Sequence, residues 1–167
     1  MATFLDQFFH ATQDEGEIFS LLRATPVFHP LNLKELRRIE SIVHSRTYQP
    51  EEIIFEQGEE GLGFYVVRSG QIRISRLHEG RQKEVAVVTR GGFFGELALL
   101  DGAPRSAQAQ AVEKTELIGF FRPDLIQLFE TNPAIAAKVS FELAKWIGRR
   151  LRETLMHPVR SEAAHVL

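Results

Sequence analysis

Apolar residues in the middle of the chain occur in short runs that glycine and proline separate, which is the pattern of β-strands joined by tight turns. Ile72 and Ile74, for example, alternate with polar neighbours, as in a strand with one buried face. Gly58 and Gly70 lie at corners between runs, and such corners are common in small antiparallel barrels. The pattern predicts strands at Ile53–Phe55, Phe64–Val67, 71–75, 84–88 and 117–121.

Helical spacing of apolar residues appears on both sides of this region. Apolar pairs at 4–5, 8–9, 18–19 and 21–22 predict N-terminal helices, and Leu33–His44 predicts an amphipathic helix that Asn32 can cap. A short helix is expected at 123–129. The last helix opens at Asn132-Pro133 and runs to about His157. Its apolar stripe has intervals of four, at Ile135, Val139, Leu143, Ile147, Leu151 and Leu155.

The composition is that of an ordinary globular protein, with 44% apolar and 25% charged residues among 167. This length suffices for one domain with its own core. A net charge of −2 argues against a general nucleic-acid surface, and no apolar run approaches the ~20 residues of a membrane span. The chain has no cysteine, which excludes disulfides and thiol chemistry. Because the N-terminus also lacks a secretion signal, we expect a cytoplasmic protein.

The segment FFGELALLDGAPRSAQAQA, residues 93–111, is suited to hold a small anion. Gly95 permits a positive φ or a close approach of the backbone. Residues 96–100 predict one helical turn, whose free N–H groups and positive dipole end face whatever precedes it. Arg105 follows the rigid Pro104, and its guanidinium can donate two parallel hydrogen bonds to a phosphate.

Glu96 is the one carboxylate among these donors, and it would repel a phosphate. We therefore assign it another role, and accepting a hydrogen bond from a sugar hydroxyl fits. Ser106 and Ala107 add a hydroxyl and backbone donors to the segment. The alternative is a hairpin in which Glu96 and Arg105 simply pair with each other.

This segment resembles the phosphate-binding cassette of the cyclic nucleotide-binding domain family. That family includes the regulatory subunit of cAMP-dependent protein kinase, the catabolite activator protein and nucleotide-gated channels. Two blocks at family spacing carry the resemblance, Phe94–Leu99 (FGELAL) and Pro104–Ala107 (PRSA). It extends to residues 48–75, which look like the first half of the family's β-roll. One departure is Leu62-Gly63, because many members carry an acidic residue just before the following strand.

The resemblance implies a mainly β fold, a double-stranded β-helix or jelly-roll-like β-roll with N-terminal helices and a long C-terminal helix. It implies the following organisation: an N-terminal helical segment at 1–25, the β-roll at 26–130 with the cassette at 93–111, a lid and dimerisation helix at 131–157, and a tail at 158–167.

Roles for individual residues also follow from the resemblance. Arg105 would pair with the cyclic phosphate and Glu96 would hold the ribose 2′-hydroxyl. cAMP is favoured, with cGMP as the alternative, because Ser106 stands where cGMP-preferring members often carry threonine, whereas the cAMP-responsive catabolite activator group also has serine. The other implied ligand-binding residues are Gly95, Leu97, Ala98, Ser106 and Ala107 of the cassette, Val85 and Val88 before it, and Trp146 and Arg150 on the lid helix.

Two of these assignments have alternatives. A valine such as Val85 or Val88 either touches the purine ring or belongs to the barrel core. Trp146, the sole tryptophan, either stacks on the base or packs on the barrel or a second subunit. For Arg150 the alternative is a solvated basic face.

The predicted function is that of a regulatory domain rather than an enzyme, in which cyclic nucleotide lets the lid helix close. The histidines form no HxH or HExxH pair, and neither a GxSxG motif nor a Walker lysine is present, so we expect no metal centre and no nucleophile. A competing class is a module that binds a protein partner without ligand. Family members whose ligand site has degenerated usually lose the glutamate and the arginine of the cassette, whereas this chain keeps both as Glu96 and Arg105.

Only Val159–Leu167 follow the predicted long helix, too few residues for a helix-turn-helix DNA-binding domain. We therefore expect no DNA-binding domain and no membrane segment in these residues, and output through a homodimer, a separate protein partner or a domain that lies outside this sequence. An apolar stripe that the roll cannot cover is commonly buried against a second copy. The alternative is that the stripe packs wholly on its own roll. The predicted dimer contacts are Leu143, Ile147, Leu151 and Trp146.

Overall fold

The computed structural model describes residues 16–156, in which eight strands form two antiparallel sheets. The strands are β1 His44–Tyr48, β2 Ile53–Phe55, β3 Gly63–Ser69, β4 Gln71–His78, β5 Arg81–Thr89, β6 Phe93–Phe94, β7 Gln108–Ala111 and β8 Thr115–Phe121. One sheet has the order β1-β8-β3-β6 and the other β2-β7-β4-β5. Strands that are distant in the chain are therefore neighbours, and the two halves of the roll are interleaved.

Helices precede and follow the sheets. They are α1 at residues 16–24, a 3-10 turn at Pro26–Phe28, α2 Leu33–Glu40, α3 Leu97–Asp101, α4 Arg122–Thr131 and α5 Pro133–Met156. The predicted class, mainly β with flanking helices and a long C-terminal helix, is confirmed. Within residues 16–156 no helix is long and apolar enough to cross a membrane. Three predictions lie outside the described residues. They are the helix indicated by the apolar pairs at 4–5 and 8–9, the end of the last helix at His157, and the tail at 158–167.

Two apolar clusters stabilise the roll. One lies between the sheets and includes Tyr48, Phe55, Val67, Ile72 and Leu117, all with little or no exposed surface. The other joins the first sheet to the helices, and Phe28, Phe64 and Phe120 form its aromatic centre with ring centroids 5.8 to 6.0 Å apart. Since α5 contributes to the second cluster, the helix is part of the domain's core and not an appendage.

The helix predicted at Leu33–His44 ends earlier, at Glu40. Asn32 caps it as predicted, because its side chain accepts a hydrogen bond from the amide of Glu35. Beyond the end, the amide of Val43 bonds the carbonyl of Ile39, and at His44 the chain becomes β1, a strand that the sequence did not predict. Pairing of β1 with the buried strand β8 outweighs the helical spacing of apolar residues there.

Only the first half of the stripe on α5 is buried. Ile135, Val139 and Leu143 pack into the core, whereas Leu151 and Leu155 are exposed. Leu143 has 0% exposed surface, so it cannot contact a second subunit, and its assignment to a dimer interface was wrong. The roll is shorter than the helix, which leaves the last turns of α5 without intramolecular packing.

Candidate functional site

The loop between β6 and β7 has the conformation that its glycines predicted. Gly95 has a φ of +83°, and a Cβ atom there would lie 2.6 Å from Nη1 of Arg105. The single turn of α3 follows and ends at Gly102, which has a φ of +66° and donates its N–H to the carbonyl of Ala98. Gly95 is thus required twice, for its backbone conformation and for the space that Arg105 occupies.

A second loop, between β2 and β3, fixes the backbone of Arg105. The amide of Arg105 donates to the carbonyl of Glu59 at 2.7 Å, and its carbonyl accepts from the amide of Gly58 at 2.8 Å. Gly61 in the same loop lies so close to Ala98 that a Cβ atom would overlap it. The two loops therefore hold each other in place.

The side chain of Arg105 is only 6% exposed, and neutral groups hold it. Its Nη1 donates to the carbonyls of Gly63 at 2.8 Å and Gly95 at 3.0 Å, and its guanidinium carbon lies 3.9 Å from the centroid of the Phe55 ring. Burial lowers the pKa of this guanidinium, which nevertheless stays protonated in proteins. Gly63 occupies the position where the sequence departs from the family pattern, and its backbone carbonyl supplies an acceptor there.

One edge of the same guanidinium remains available. Nε of Arg105 is buried and has no hydrogen-bond partner within residues 16–156. A buried donor without a partner destabilises a protein by about 1–3 kcal/mol, so such donors commonly mark a ligand site. Nε and Nη2 form the two-pronged edge of a guanidinium that matches a phosphate or a carboxylate.

Glu96 is buried too, but its partner is not Arg105. Its Oε1 accepts a hydrogen bond of 2.5 Å from Nη1 of Arg150 on α5, fifty-four residues further along the chain. The hairpin in which Glu96 and Arg105 pair is therefore not observed. Oε2 of Glu96 makes no hydrogen bond with the described part of the chain.

The other predicted site residues differ in their surroundings. Ala98 and Ala107 are buried beside the loop, whereas Leu97 is exposed and Ser106 is an exposed residue whose carbonyl accepts from Nε of Arg76. Val88 packs against the cluster between the sheets, while Val85 is half exposed on β5.

Trp146 packs on the roll, which is one of the arrangements that the sequence left open. Its ring centroid lies 4.8 Å from that of Phe93 at the start of the loop, and its Nε1 is buried without a partner among residues 16–156. The guanidinium carbon of Arg149 lies 5.7 Å from the indole centroid. Together with the Arg150–Glu96 ion pair, this contact places α5 against the loop.

The sequence did not predict three contacts of Arg105 that come from distant positions in the chain. These are the ring of Phe55, the carbonyl of Gly63 and the backbone of Glu59. None belongs to the motif, and they reach the site through the pairing of β2 and β3 with later strands. The departure at Leu62-Gly63 was interpreted as affecting a local turn rather than the ligand site, so it did not lead to Gly63 as a contact of Arg105.

Residues 45–132 match the family model of the cyclic nucleotide-binding domain, a range that contains both loops and all eight strands except the first residue of β1. This chain belongs to the cyclic nucleotide-binding domain family. The resemblance on which the roles of Arg105 and Glu96 were based is thereby confirmed at the level of the family.

Relatives of this cyclic nucleotide-binding domain include the cyclic AMP receptor protein of Thermus thermophilus, 39% identical over 133 residues, or 79% of this chain and 60% of that protein. The crystal structure of the catabolite activator protein of that species gives a TM-score of 0.72 at 39% identity, covering 80% of this chain and 61% of that one. A co-crystal structure of the regulatory domain of Toxoplasma gondii PKA with cAMP gives a TM-score of 0.66 at 29% identity, covering 69% and 44%. The chain thus spans less than two thirds of each of these relatives.

Proposed function

We propose that this domain binds cAMP, in preference to cGMP, and that the bound nucleotide controls the position of α5. The observation that carries the proposal is the buried edge of Arg105, whose Nε lacks a partner although Nη1 of the same guanidinium donates to two carbonyls. A cyclic phosphate would accept from Nε and Nη2 together. The backbone amides of Leu97 and Ala98, which begin α3 and have no acceptor one turn earlier, supply further donors.

Glu96 would read the ribose. Oε1 is engaged by Arg150, so Oε2 is the oxygen that accepts from the 2′-hydroxyl. The pairing with Arg150 also compensates the negative charge of Glu96, which would otherwise repel a phosphate a few ångströms away. The carboxylate of Glu96 would then contact the nucleotide and Arg150 at the same time, which would couple nucleotide binding to the position of α5.

The purine would lie along β5. Val88 and the half-exposed Val85 offer an apolar wall, which supplies affinity with little selectivity. Trp146 is engaged with Phe93, so we assign it to anchoring α5 on the roll. Ser106 and Ala107 complete the phosphate side of the loop, where Ser106 carries a hydroxyl but lacks the methyl group of the threonine that cGMP-preferring members often have.

Calorimetry with cAMP and cGMP tests the proposal on the 167-residue chain. We expect saturable binding of both nucleotides with the higher affinity for cAMP. A roughly tenfold preference for cGMP, 1.4 kcal/mol in the other direction, would reverse the ligand assignment. Binding of neither nucleotide would leave the competing class, a module that recognises a protein partner without ligand.

Removal of the ribose 2′-hydroxyl should weaken binding. We expect 2′-deoxy-cAMP to bind less tightly than cAMP by about 1.5–3 kcal/mol, the contribution of a hydrogen bond to a charged group. Competition titration measures the difference, and Glu96→Gln should narrow it because the amide is a weaker acceptor. Equal affinities of the wild-type protein for the two ligands would show that Glu96 serves only to bind Arg150.

An exposed face of α5 supports the further proposal of a homodimer, with a different set of contacts from the one predicted. Phe141 is 67% exposed and Leu151 58% exposed. Together with small neighbours they form a stripe whose spacing alternates between four and three residues, as in a short coiled coil. The members of this stripe are Ala137, Phe141, Ala144, Gly148, Leu151 and Leu155.

A charge in this stripe should dissociate the dimer. We expect Leu151→Glu to give monomers in sedimentation velocity, because a buried unpaired carboxylate at a two-fold contact is costly. Leu33→Glu is the matched control, since Leu33 is as exposed as Leu151 but lies on α2. A wild-type protein that sediments as a monomer with and without cAMP would contradict the dimer.

A further inference from the structure

Phe55 lies against the guanidinium of Arg105, although the two residues are far apart in the sequence. The guanidinium carbon is 3.9 Å from the ring centroid, inside the ~6 Å range of a cation–π contact. The ring itself is fixed, because it is buried and packs with Phe94 and Tyr65 at centroid distances of 5.9 and 6.2 Å. The core between the sheets therefore sets the position of an aromatic face beside the site.

The hydrogen bonds of Arg105 do not by themselves orient its guanidinium. Both are donated by one nitrogen, Nη1, to the carbonyls of Gly63 and Gly95. A planar group held at one corner can still tilt about that corner, and the direction of Nε and Nη2 depends on the tilt. Within residues 16–156 no carboxylate forms an ion pair with Arg105; Glu59 and Glu96 attract its charge only over longer distances, so no salt bridge fixes the plane.

We propose that Phe55 is a positioning residue for phosphate recognition, whose ring holds the Arg105 guanidinium by a cation–π contact in the orientation that presents Nε and Nη2 to the anion. The inference rests on the proposed function, because it concerns the group that would receive the cyclic phosphate. Phe55 itself touches no ligand in this arrangement. It acts through Arg105.

The contribution follows from the strength of such contacts. Cation–π pairs away from water correspond to roughly three- to thirty-fold in an equilibrium constant. The loss should affect ligands that carry the phosphate and spare those that lack it. Adenosine has the base and the ribose but no phosphate, and it therefore separates a misplaced Arg105 from a general collapse of the pocket.

The test uses calorimetry of the 167-residue chain with cAMP and, separately, with adenosine. We expect Phe55→Leu to weaken cAMP binding by about three- to thirty-fold while adenosine affinity is unchanged. Phe55→Tyr, which keeps an aromatic face, should restore most of the cAMP affinity. Phe28→Leu is the matched control, a buried phenylalanine in the other cluster that makes no contact with Arg105.

Graded fluorination of the ring at position 55 removes the electrostatic attraction at nearly constant size. Incorporation of mono-, tri- and pentafluorophenylalanine should weaken cAMP binding step by step without a matching loss of thermal stability. A flat response to fluorine, or equal effects of Phe55→Leu and Phe28→Leu on cAMP, would overturn the role of Phe55 while cAMP binding itself stands. A wild-type chain that binds neither cAMP nor cGMP would overturn the proposed function, and this inference with it.

Discussion

Arg105→Ala should weaken cAMP binding by roughly thirty-fold to several-thousand-fold, because removing one partner of a desolvated charge pair costs about 2–5 kcal/mol. Arg105→Lys should recover little of this affinity, since an ammonium cannot reproduce the two parallel bonds of a guanidinium edge. Calorimetry measures both variants. A cAMP affinity for Arg105→Ala within about threefold of wild type, 0.7 kcal/mol, would contradict the assignment of the phosphate site.

The alanine variant should also be less stable. Arg105 is the donor to the carbonyls of Gly63 and Gly95, and its removal leaves two acceptors in a largely buried region. Such unpartnered groups cost about 1–3 kcal/mol each where water cannot replace the donor. Thermal unfolding must therefore be recorded beside binding, and a variant that is destabilised elsewhere is needed to separate the two effects.

Comparison of Gly95→Ala with Gly91→Ala separates an effect on the site from a loss of stability. Both glycines have a positive φ, +83° and +80°, so alanine should destabilise either position by about 1–2 kcal/mol. The added methyl group at Gly95 would lie 2.6 Å from Nη1 of Arg105, whereas nothing lies within 4 Å of the one at Gly91. Only Gly95→Ala should therefore displace the guanidinium.

We expect the Gly95→Ala variant to lose on the order of tenfold or more in cAMP affinity, at least about 1.4 kcal/mol, and Gly91→Ala to bind like wild type. Denaturant unfolding and calorimetry on both variants give the comparison. If the two variants lose stability and affinity to the same extent, backbone strain alone accounts for the result. The close packing of Gly95 on Arg105 would then have no part in recognition.

The parts of the fold that local sequence determines were predictable. The turn at Gly95, the short α3 and its end at Gly102 follow from residues within one segment, because glycine conformation and helix capping are local properties. The cap of α2 at Asn32 is predictable for the same reason. Of these features, the turn at Gly95 and the start of α3 lie in one of the two blocks that carried the family resemblance.

Features that depend on strand pairing were not predictable. The strand at His44 exists because β8 pairs with it, and its sequence, HSRTY, has no apolar alternation. The pairing of β4 with β5 is irregular between Ile74 and Ser75, where Val85 of β5 has no opposite residue, and Ser75 is buried although simple alternation places it on the polar face. A period of two cannot anticipate a bulge.

In the site, too, the residues of the local motif were predictable and their partners from other strands and helices were not. The motif supplied Arg105 and Glu96, but their partners come from distant parts of the chain: Phe55 and Gly63 from the first strands, and Arg150 from the last helix. The stripe on α5 illustrates a different case. Its four-and-three spacing was present in the sequence, and only burial of Ile135 and Leu143 in the core separated it from the inward face.

If the ion pair between Glu96 and Arg150 couples nucleotide binding to the position of α5, this coupling is reciprocal. If bound nucleotide changes the affinity of α5 for another molecule by some factor, then binding of that molecule must change the affinity for nucleotide by the same factor. A second copy, or another protein bound to the end of the helix, would therefore change the nucleotide concentration at which the domain responds. One chain could be sensitive in one assembly and insensitive in another, with no change in the residues that touch the ligand.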